Sequence, residues 1–272
     1  MLHDILPMVY DNHWETRKVS QGDLLVAVNG RKILVKVEGN EVSLPIFGVD
    51  LTVFQTEYLF RIDDHFFFLA EESVEEFGDY HYVNINAVRS FDPMWMVYAC
   101  SNAMSLASWY QNNSYCGHCG KRTHKSVVER AIVCDDCHLT NYPKICPGII
   151  AAVISGDGER IAMTKAKGRD HWALVSGFTE IGEPIEDTVK REVEEEIGLT
   201  VKNIRFYRSQ PWPFSDSLLC GFFCEVDGDD TIKVDPWELD DAKWVKRADV
   251  PPKTNNTSLT QEMIALFKDG RY

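Results

Sequence analysis

The segment from Gly177 to Leu199 constrains the fold of this chain more than any other stretch of the sequence. It reads GFTEIGEPIEDTVKREVEEEIGL. Pro184 suits the start of a helix because the first helical position needs no N–H donor, and Gly198 suits its end because glycine tolerates a left-handed backbone. The sequence therefore predicts about three and a half turns of helix between them.

One side of this predicted helix is acidic and another is apolar. Glu192, Glu195 and Glu196 stand at i, i+3 and i+4, so their carboxylates share one patch. A hard divalent cation with several oxygen ligands explains this patch better than an acidic surface helix does, because like charges repel. Arg191 is placed to orient Glu195. The apolar positions recur every four residues and predict packing on a sheet: Ile185, Val189, Val193 and Ile197.

The same segment resembles the Nudix box, G-x5-E-x7-R-E-U-x-E-E-x-G-U with U apolar, at every fixed position. The resemblance implies metal-dependent hydrolysis by a Nudix hydrolase. The implied catalytic residues are Glu183, Arg191, Glu192, Glu195 and Glu196. The implied ligands of a catalytic Mg²⁺ or Mn²⁺ are Glu192, Glu195 and Glu196, and Glu238, a carboxylate from outside the helix, could complete the ligand set or hold the attacking water. The general base stays open between Glu195 and Glu196.

A second motif is SQPWPFSDS, residues 209–217. It resembles the S-Q-P-W-P-F-P-x-S array of the NADH pyrophosphatase branch of the Nudix family, with Ser215 in place of the third proline. Prolines pre-set a rigid loop, and Trp212 and Phe214 offer flat surfaces to a base; a structural proline turn is the alternative. The substrate-binding residues implied by this resemblance are Arg89, Glu129, Tyr142, Ser176, Phe178, Gln210, Trp212, Phe214, Ser217, Glu238 and Thr260. It also implies a homodimer in which Tyr142 and Phe178 clamp a base across the interface.

Four of the eight cysteines form two C-x2-C pairs separated by fourteen residues: Cys116, Cys119, Cys134 and Cys137. This spacing predicts a structural zinc ion with four thiolate ligands, since two pairs together favour zinc over a redox site. Three nearby histidines are expected on the surface: His118, His124 and His138. The remaining cysteines are expected to be buried and inert: Cys100, Cys146, Cys220 and Cys224.

Charge and hydropathy restrict the partners of the chain. Its 272 residues carry a net charge of −14, which argues against general nucleic-acid binding and requires metal ions to recruit an anionic substrate. No apolar run approaches the roughly 20 residues needed to span a bilayer, and no secretory pattern opens the chain. We therefore expect a cytoplasmic protein without a membrane partner.

The order of predicted elements divides the chain into four segments: a β-rich N-terminal domain (1–92), a linking helix (93–113), a zinc ribbon (114–143) and a Nudix hydrolase domain (144–272). In the first, LLVAV and KILVKV flank a hairpin signal at Asn29-Gly30, and LTVFQ, YLFRI and HFFFLA continue the strand pattern. The last contains predicted strands at 148–154, 160–164, 172–178, 201–209, 217–226 and 242–245, and a terminal helix at 258–267. This mixed order predicts an α/β/α sandwich with a mixed sheet.

The function predicted from both resemblances is hydrolysis of the pyrophosphate bond of NADH or NAD, giving nicotinamide mononucleotide and AMP. Three alternatives stay open. The substrate could be the NAD cap at an RNA 5′ end, which contains the same bond. It could be ADP-ribose or another nucleoside diphosphate derivative. The chain could instead be a nucleotide-sensing regulator, although its complete set of box residues argues against that role.

Overall fold

The computed structural model describes residues 1–253 and 257–272, and the chain forms two compact units. The N-terminal unit comprises residues 4–144 with Pro213–Asp216, and the C-terminal unit comprises Met1–His3, Ile145–Trp212 and Ser217–Tyr272. Nearly all residues of the first three predicted segments therefore lie in one compact unit. No helix within the described ranges is both long and apolar enough to cross a membrane.

Short strands dominate the N-terminal unit. They are β1 (Tyr10–Asp11), β2 (Leu24–Val26), β3 (Val28–Asn29), β4 (Lys32–Glu38), β5 (Glu41–Ser43), β6 (Thr56–Ile62), β7 (His65–Ala70), β8 (Tyr80–Asn84), β9 (His124–Lys125), β10 (Ile132–Val133) and β11 (Thr140–Asn141). Sheets form in the orders β1-β6-β7-β2, β3-β4-β5 with β8 also on β4, and β11-β10-β9. The N-terminal unit also contains the helices α1 (Ile85–Val88) and α2 (Met94–Asn112). Helix α2 matches the predicted linking helix.

Two local predictions in this unit need correction. Asn29 pairs with Lys32, so Gly30 and Arg31 form the hairpin turn, one residue later than expected. Gly30 takes a φ of 56°, a conformation that glycine adopts without steric cost. The run LTVFQ is not a strand, and Leu51 makes only an isolated bridge with Phe47. An apolar composition is not sufficient for a strand, because a strand also needs a neighbouring strand with which to form hydrogen bonds.

The C-terminal unit is built on one mixed sheet. Its strands are β12 (Cys146–Ile154), β13 (Arg160–Ala166), β14 (Val175–Phe178), β15 (Val201–Trp212), β16 (Ser217–Val226) and β17 (Leu239–Lys246). The order is β15-β16-β12-β13-β17, with β14 also paired to β12. β12 runs parallel to β16, and the other pairs are antiparallel. The long helices are α3 (Ile185–Ile197) and α4 (Leu259–Lys268), and short 3-10 turns lie at Pro213–Ser215 and Arg247–Asp249.

Strand β12 shows why this unit has three layers. Its side chains alternate between the two faces of the sheet. The odd-numbered ones from Ile149 to Val153 join the core under α3, and the even-numbered ones from Ile150 to Ile154 join the core under α4. The predicted stripe of α3 meets the first of these cores with Val189, Val193 and Ile197 fully buried. The predicted α/β/α sandwich is confirmed.

The proline-rich motif is only partly a loop. Residues 209–212 continue β15 and pair with β16, from Ser209 opposite Cys220 to Trp212 opposite Ser217. Pro211 is tolerated within a strand because β15 lies at the edge of the sheet. An edge strand has a neighbour on one side only, so a residue without an N–H does not interrupt hydrogen bonding between inner strands. The turn is confined to the short segment after Trp212.

The cysteines outside the C-x2-C pairs differ in burial. Cys100 and Cys224 are buried, and burial raises the pKa of both thiols to about 12, which keeps them protonated and unreactive. Cys220 is half-buried. Cys146 is exposed, contrary to expectation, because it is the first residue of β12, before the strand enters the core.

Candidate active site

Three carboxylates converge beside strand β14 in the C-terminal unit. Oxygen atoms of Glu192, Glu196 and Glu238 all lie within 4.8 Å of one another. The first two project from α3 and are only 8% and 5% exposed, whereas Glu238 is exposed and comes from the chain just before β17. Glu195, predicted to join this group, instead lies outside it with its side chain 56% exposed.

Gly177 makes room for this arrangement. A Cβ atom at this position would lie 1.9 Å from the carboxyl carbon of Glu192 and about as close to both of its oxygens. Strand β14 therefore passes directly against the Glu192 carboxylate, and only a residue without a side chain permits that approach. This contact explains in physical terms why a glycine precedes the acidic helix.

Arg191 organises the remaining acids of the segment. Its Nε and Nη2 atoms donate to the two oxygens of Glu183 at 2.9 and 3.0 Å, a bidentate contact. Its Nη1 donates to Glu192 and to Glu195 at 2.8 and 2.9 Å, and Nη2 also donates to the carbonyl of Phe178 at 2.9 Å. One guanidinium thus neutralises part of the charge of three glutamates and ties α3 to β14.

The electrostatics separate two kinds of glutamate. Hydrogen bonds from Arg191 lower the pKa of Glu183 to about 2, so this carboxylate is firmly ionised. Burial raises the pKa of Glu196 to about 8, against a partial opposing effect of the Ser176 N–H, which lies 3.4 Å from Glu196 Oε1. Burial also raises the pKa of Glu192. Two buried carboxylates beside a third form a site whose charge a divalent cation would balance, and hard cations prefer such oxygen ligands.

The carboxylates open into a cleft of about 620 Å³, a volume suited to a nucleotide-sized ligand. Among the predicted site residues, its lining includes Ser176, Phe178, Arg191, Glu192, Glu195 and Glu238. Phe178 is 53% exposed and so presents an aromatic face to this space. These residues were predicted separately from two motifs, and the fold brings them to one surface.

The segment that carries Glu238 is anchored by residues that sequence reasoning missed. The N–H of Lys167 donates to the Glu238 carbonyl at 2.8 Å, and Lys167 Nζ donates to the Pro236 carbonyl at 2.6 Å. Asp235 donates its N–H to the carbonyl of Glu196 at 3.0 Å. Lys167 belongs to no motif in the sequence, because it acts through a backbone pairing that only the folded sheet creates.

Thr188 is a second residue that the motif analysis missed. It is fully buried on α3, and its hydroxyl lies 2.8 Å from Glu183 Oε2, to which it donates. A buried threonine within a charged helix was the available signal, since its hydroxyl needs a partner there.

Other predicted residues of the C-terminal unit lie away from the described lining of the cleft. Gln210 is fully buried; its amide donates to the Thr257 carbonyl at 2.6 Å and accepts from the Leu259 N–H at 2.7 Å. The sequence places it among the substrate contacts, but the structure uses both ends of the amide to hold the start of α4 and leaves no exposed surface for a ligand. Ser217 is buried, and Trp212 and Thr260 are half-buried.

The remaining predicted residues belong to the N-terminal unit. Tyr142 is 52% exposed and donates its hydroxyl to Glu129 at 3.0 Å. The guanidinium carbon of Arg89 lies 5.2 Å from the ring centroid of Phe214, and Arg31 donates to the Phe214 carbonyl at 3.3 Å. Tyr142 thus contacts Glu129, and Arg89 contacts Phe214.

The four predicted cysteine ligands are assembled in the N-terminal unit. The Sγ atoms of Cys116 and Cys137, and those of Cys119 and Cys134, lie 3.5 Å apart, and all four lie within 4.8 Å of one another. These separations are too long for disulfides and near the roughly 3.8 Å edge that Zn–S bonds of about 2.3 Å give a tetrahedron. N–H groups of Cys119 and His118 lower the pKa of the Cys116 thiol to about 6, whereas hydrogen bonding to Cys116 outweighs the opposing Leu139 N–H and raises the pKa of the Cys137 thiol. The cluster could bind a structural metal. His118, His124 and His138 are exposed, as predicted.

Comparison with known families agrees with this geometry. Residues 145–267 match the NUDIX domain. A NUDIX hydrolase from Nitrosomonas europaea has a similar fold, with a TM-score of 0.50 and 17% identity over 58% of this chain and 92% of that one. The C-terminal unit therefore matches the NUDIX domain over residues 145–267, and the resemblance that the acidic segment predicts is confirmed.

The curated relatives are more specific. The chain is 38% identical over 169 residues to proteins named NAD-capped RNA hydrolase NudC from Escherichia coli O9:H4 (strain HS) and from Escherichia fergusonii. The matched region covers 61% of this chain and 65% of each relative, so it spans less than two thirds of their length.

Proposed function

We propose that this protein hydrolyses the pyrophosphate bond of NADH or NAD to nicotinamide mononucleotide and AMP, and the same bond in an NAD cap at an RNA 5′ end. The observation that carries the proposal is the convergence of Glu192, Glu196 and Glu238, of which Glu192 and Glu238 line the cleft. The 38% identity to enzymes named for hydrolysing NAD-capped RNA supports the choice of substrate.

Glu192, Glu196 and Glu238 would hold the catalytic Mg²⁺ or Mn²⁺, and Glu195 lines the same cleft as Glu192 and Glu238. Such an ion supplies charge neutralisation at the pyrophosphate and makes water more acidic. Arg191 keeps the carboxylates oriented through its contacts with Glu183, Glu192 and Glu195. The attacking water adds its oxygen to phosphorus, the bridging P–O bond breaks, and the proton released passes to a carboxylate.

Glu195 and Glu196 are the candidates for the base that accepts this proton. Glu196 sits in the carboxylate group, so its replacement would weaken both ion binding and turnover. Glu195 is exposed and paired only partly by Arg191, so its replacement by glutamine would lower kcat and leave ion affinity nearly unchanged if it is the base. Comparing ion affinity and kcat in both variants separates the two roles.

Two further proposals complete the assignment. The thiolate cluster holds a structural Zn²⁺, in keeping with its four ligands and tetrahedral spacing. The chain forms a homodimer, as the resemblance implies, and the half-exposed rings of Tyr142 and Phe178 are available to a partner and a base. Light scattering of the purified protein tests the dimer, and a monomeric mass at working concentration would refute it.

Product analysis tests the proposed reaction. The protein is incubated with Mg²⁺ or Mn²⁺ and, in parallel, with NADH, NAD, ADP-ribose and an NAD-capped RNA. Release of nicotinamide mononucleotide from NADH, NAD or the capped RNA at rates well above the cleavage of ADP-ribose is the expected result. Faster cleavage of ADP-ribose would assign the site to that substrate, and cleavage of none would favour a nucleotide-sensing role.

A further inference from the structure

An exposed indole stands beside the carboxylate group of the NUDIX domain. Trp237 immediately precedes Glu238 and is 84% exposed. Full burial of a side chain of this size typically stabilises a fold by a few kcal/mol. The fold gains little of that from Trp237, so packing does not explain the residue.

The backbone beneath the indole is held firmly. The N–H of Trp237 donates to Asp235 Oδ1 at 2.8 Å, and Lys167 Nζ donates to the carbonyl of Pro236 at 2.6 Å. Asp235 in turn bonds to the last turn of α3. These contacts fix the chain on both sides of Trp237, so the ring is presented from an ordered turn. A rigid aromatic side chain loses little conformational entropy when it binds a ligand.

The surroundings of the ring suit a nucleotide. Lys167 Nζ lies 5.8 Å from the centroid of the indole and places a positive charge near its face. Glu238 connects this turn to the group that would hold the cation on the pyrophosphate. Phe178, on β14, lines the cleft together with Glu238, the residue that follows Trp237, and its ring is half-exposed. The site therefore carries aromatic rings on two separate elements.

We propose that Trp237 is a stacking subsite for one aromatic base of a dinucleotide pyrophosphate. This proposal rests on the function proposed above and specifies how its substrate is held. A dinucleotide has a base on each side of the bond that is cleaved; Phe178 takes one and Trp237 takes the other. Stacking on an aromatic ring contributes about 1–3 kcal/mol per base and tolerates any base, because each has a flat π face.

The first experiment compares kinetic constants for NADH, which has two bases, and ADP-ribose, which has one. Trp237→Ala should raise KM for NADH about five-fold or more and change kcat little. KM for ADP-ribose should rise to the same extent if Trp237 stacks on adenine, and should change less than two-fold if it stacks on nicotinamide. Trp237→Phe should retain most of the wild-type KM. Ile181→Ala is the matched control, because Ile181 is another exposed apolar side chain and its removal should change neither constant.

Binding of the two products gives a readout without turnover. In the presence of Mg²⁺, Trp237→Ala should weaken the binding of AMP or of nicotinamide mononucleotide at least five-fold and leave the other unchanged, as measured by calorimetry. Unchanged binding of both, or an equal loss for both, would overturn the subsite. If the wild-type protein cleaves NADH while the variant behaves identically, only the subsite fails; if the wild type cleaves nothing, the proposed reaction fails and product binding still tests the subsite.

Discussion

The thiolate cluster and the carboxylate group are both suited to metal ions, but they are assembled in different ways. All four thiolates come from two tight turns, with Cys116 and Cys137 only 21 positions apart. Two of the carboxylates share α3, and the third, Glu238, arrives from a separate segment that other residues hold in place. A site built from local turns is visible in the spacing of the sequence, whereas a site completed by a distant segment depends on the fold around it.

The two sites also differ in whether a bound ion could contact a substrate. Four thiolates fill a tetrahedral coordination sphere, which leaves no position for a substrate. The carboxylates lie in an open cleft, and two of them are buried at a cost that shows in their raised pKa values. The first arrangement suits stability, and the second suits an ion that must also contact a ligand.

The largest expected effect tests the closed nature of the thiolate site. Cys134→Ala removes a fully buried ligand, so the ribbon should lose its metal and most of the roughly 10 kcal/mol that structural zinc supplies in small zinc domains. Elemental analysis and thermal unfolding measure both losses. Cys100→Ala, which removes a buried thiol outside the cluster, should keep the metal. Full metal content in Cys134→Ala would contradict four-thiolate binding.

Next in size is the loss of turnover when the carboxylate group is broken. Glu196→Gln should lower kcat for NADH about 10²–10⁴-fold while the far-UV circular dichroism stays unchanged. Glu194→Gln is the matched control, because Glu194 lies on the same helix but is exposed to solvent. Near-normal activity of Glu196→Gln, with the control also active, would rule out Glu196 as a functional ligand or base.

The pH dependence of stability should reveal the cost of burying Glu196. Its folded-state pKa of about 8 exceeds its ordinary value of 4.5, so without a cation this group stabilises the fold fully below about pH 4.5. This contribution to the free energy of unfolding falls as the pH rises and is gone above pH 8. At about 1.4 kcal/mol per pKa unit, the total change is a few kcal/mol. Urea unfolding of cation-free protein from pH 5 to 8 measures it.

Glu196→Gln should remove most of this slope, because glutamine does not titrate. The contribution of Glu183 has the opposite sign: its pKa is lowered to about 2, so its stabilisation is present above pH 4.5 and is lost only as the pH falls towards 2. A slope between pH 5 and 8 that is the same in wild type and Glu196→Gln would assign the effect to other groups.

The smallest expected effect concerns the segment that completes the carboxylate group. Lys167→Met removes the ammonium bond to Pro236 and keeps the backbone bond to Glu238, so Mn²⁺ affinity should fall about two- to five-fold. Titration of Mn²⁺ followed by electron paramagnetic resonance detects this change. Lys165→Met serves as the control. It removes a nearby lysine ammonium group whose recorded ion pair is with Asp170, at 3.8 Å, and not with the segment that carries Glu238. Equal affinities in both variants would show that the segment needs no such anchor.

Periodicity predicted the elements of the NUDIX domain well, because its core helix and strands carry strong apolar patterns. Helix α3 begins at Ile185, one residue later than predicted, because Pro184 is its N-cap with an extended backbone. It ends where Gly198 indicates, and Gly198 takes the expected left-handed φ of 67°. The same reasoning failed where pairing decided the outcome. Ser209–Trp212 became strand because β16 lies alongside, and LTVFQ did not because it lacks such a neighbour within the described residues.

The sequence by itself determined the acidic helix and the grouping of the four cysteines, because each depends on spacing along a short stretch of chain. The mixed order of predicted strands and helices indicated the three-layered fold. Only the tertiary structure decided which acids meet. It joined Glu238 to Glu192 and Glu196, left Glu195 at the rim, and enclosed Gln210 in the core. The physical reason is that burial and contact between distant segments arise from the packing of whole elements, which no local pattern records.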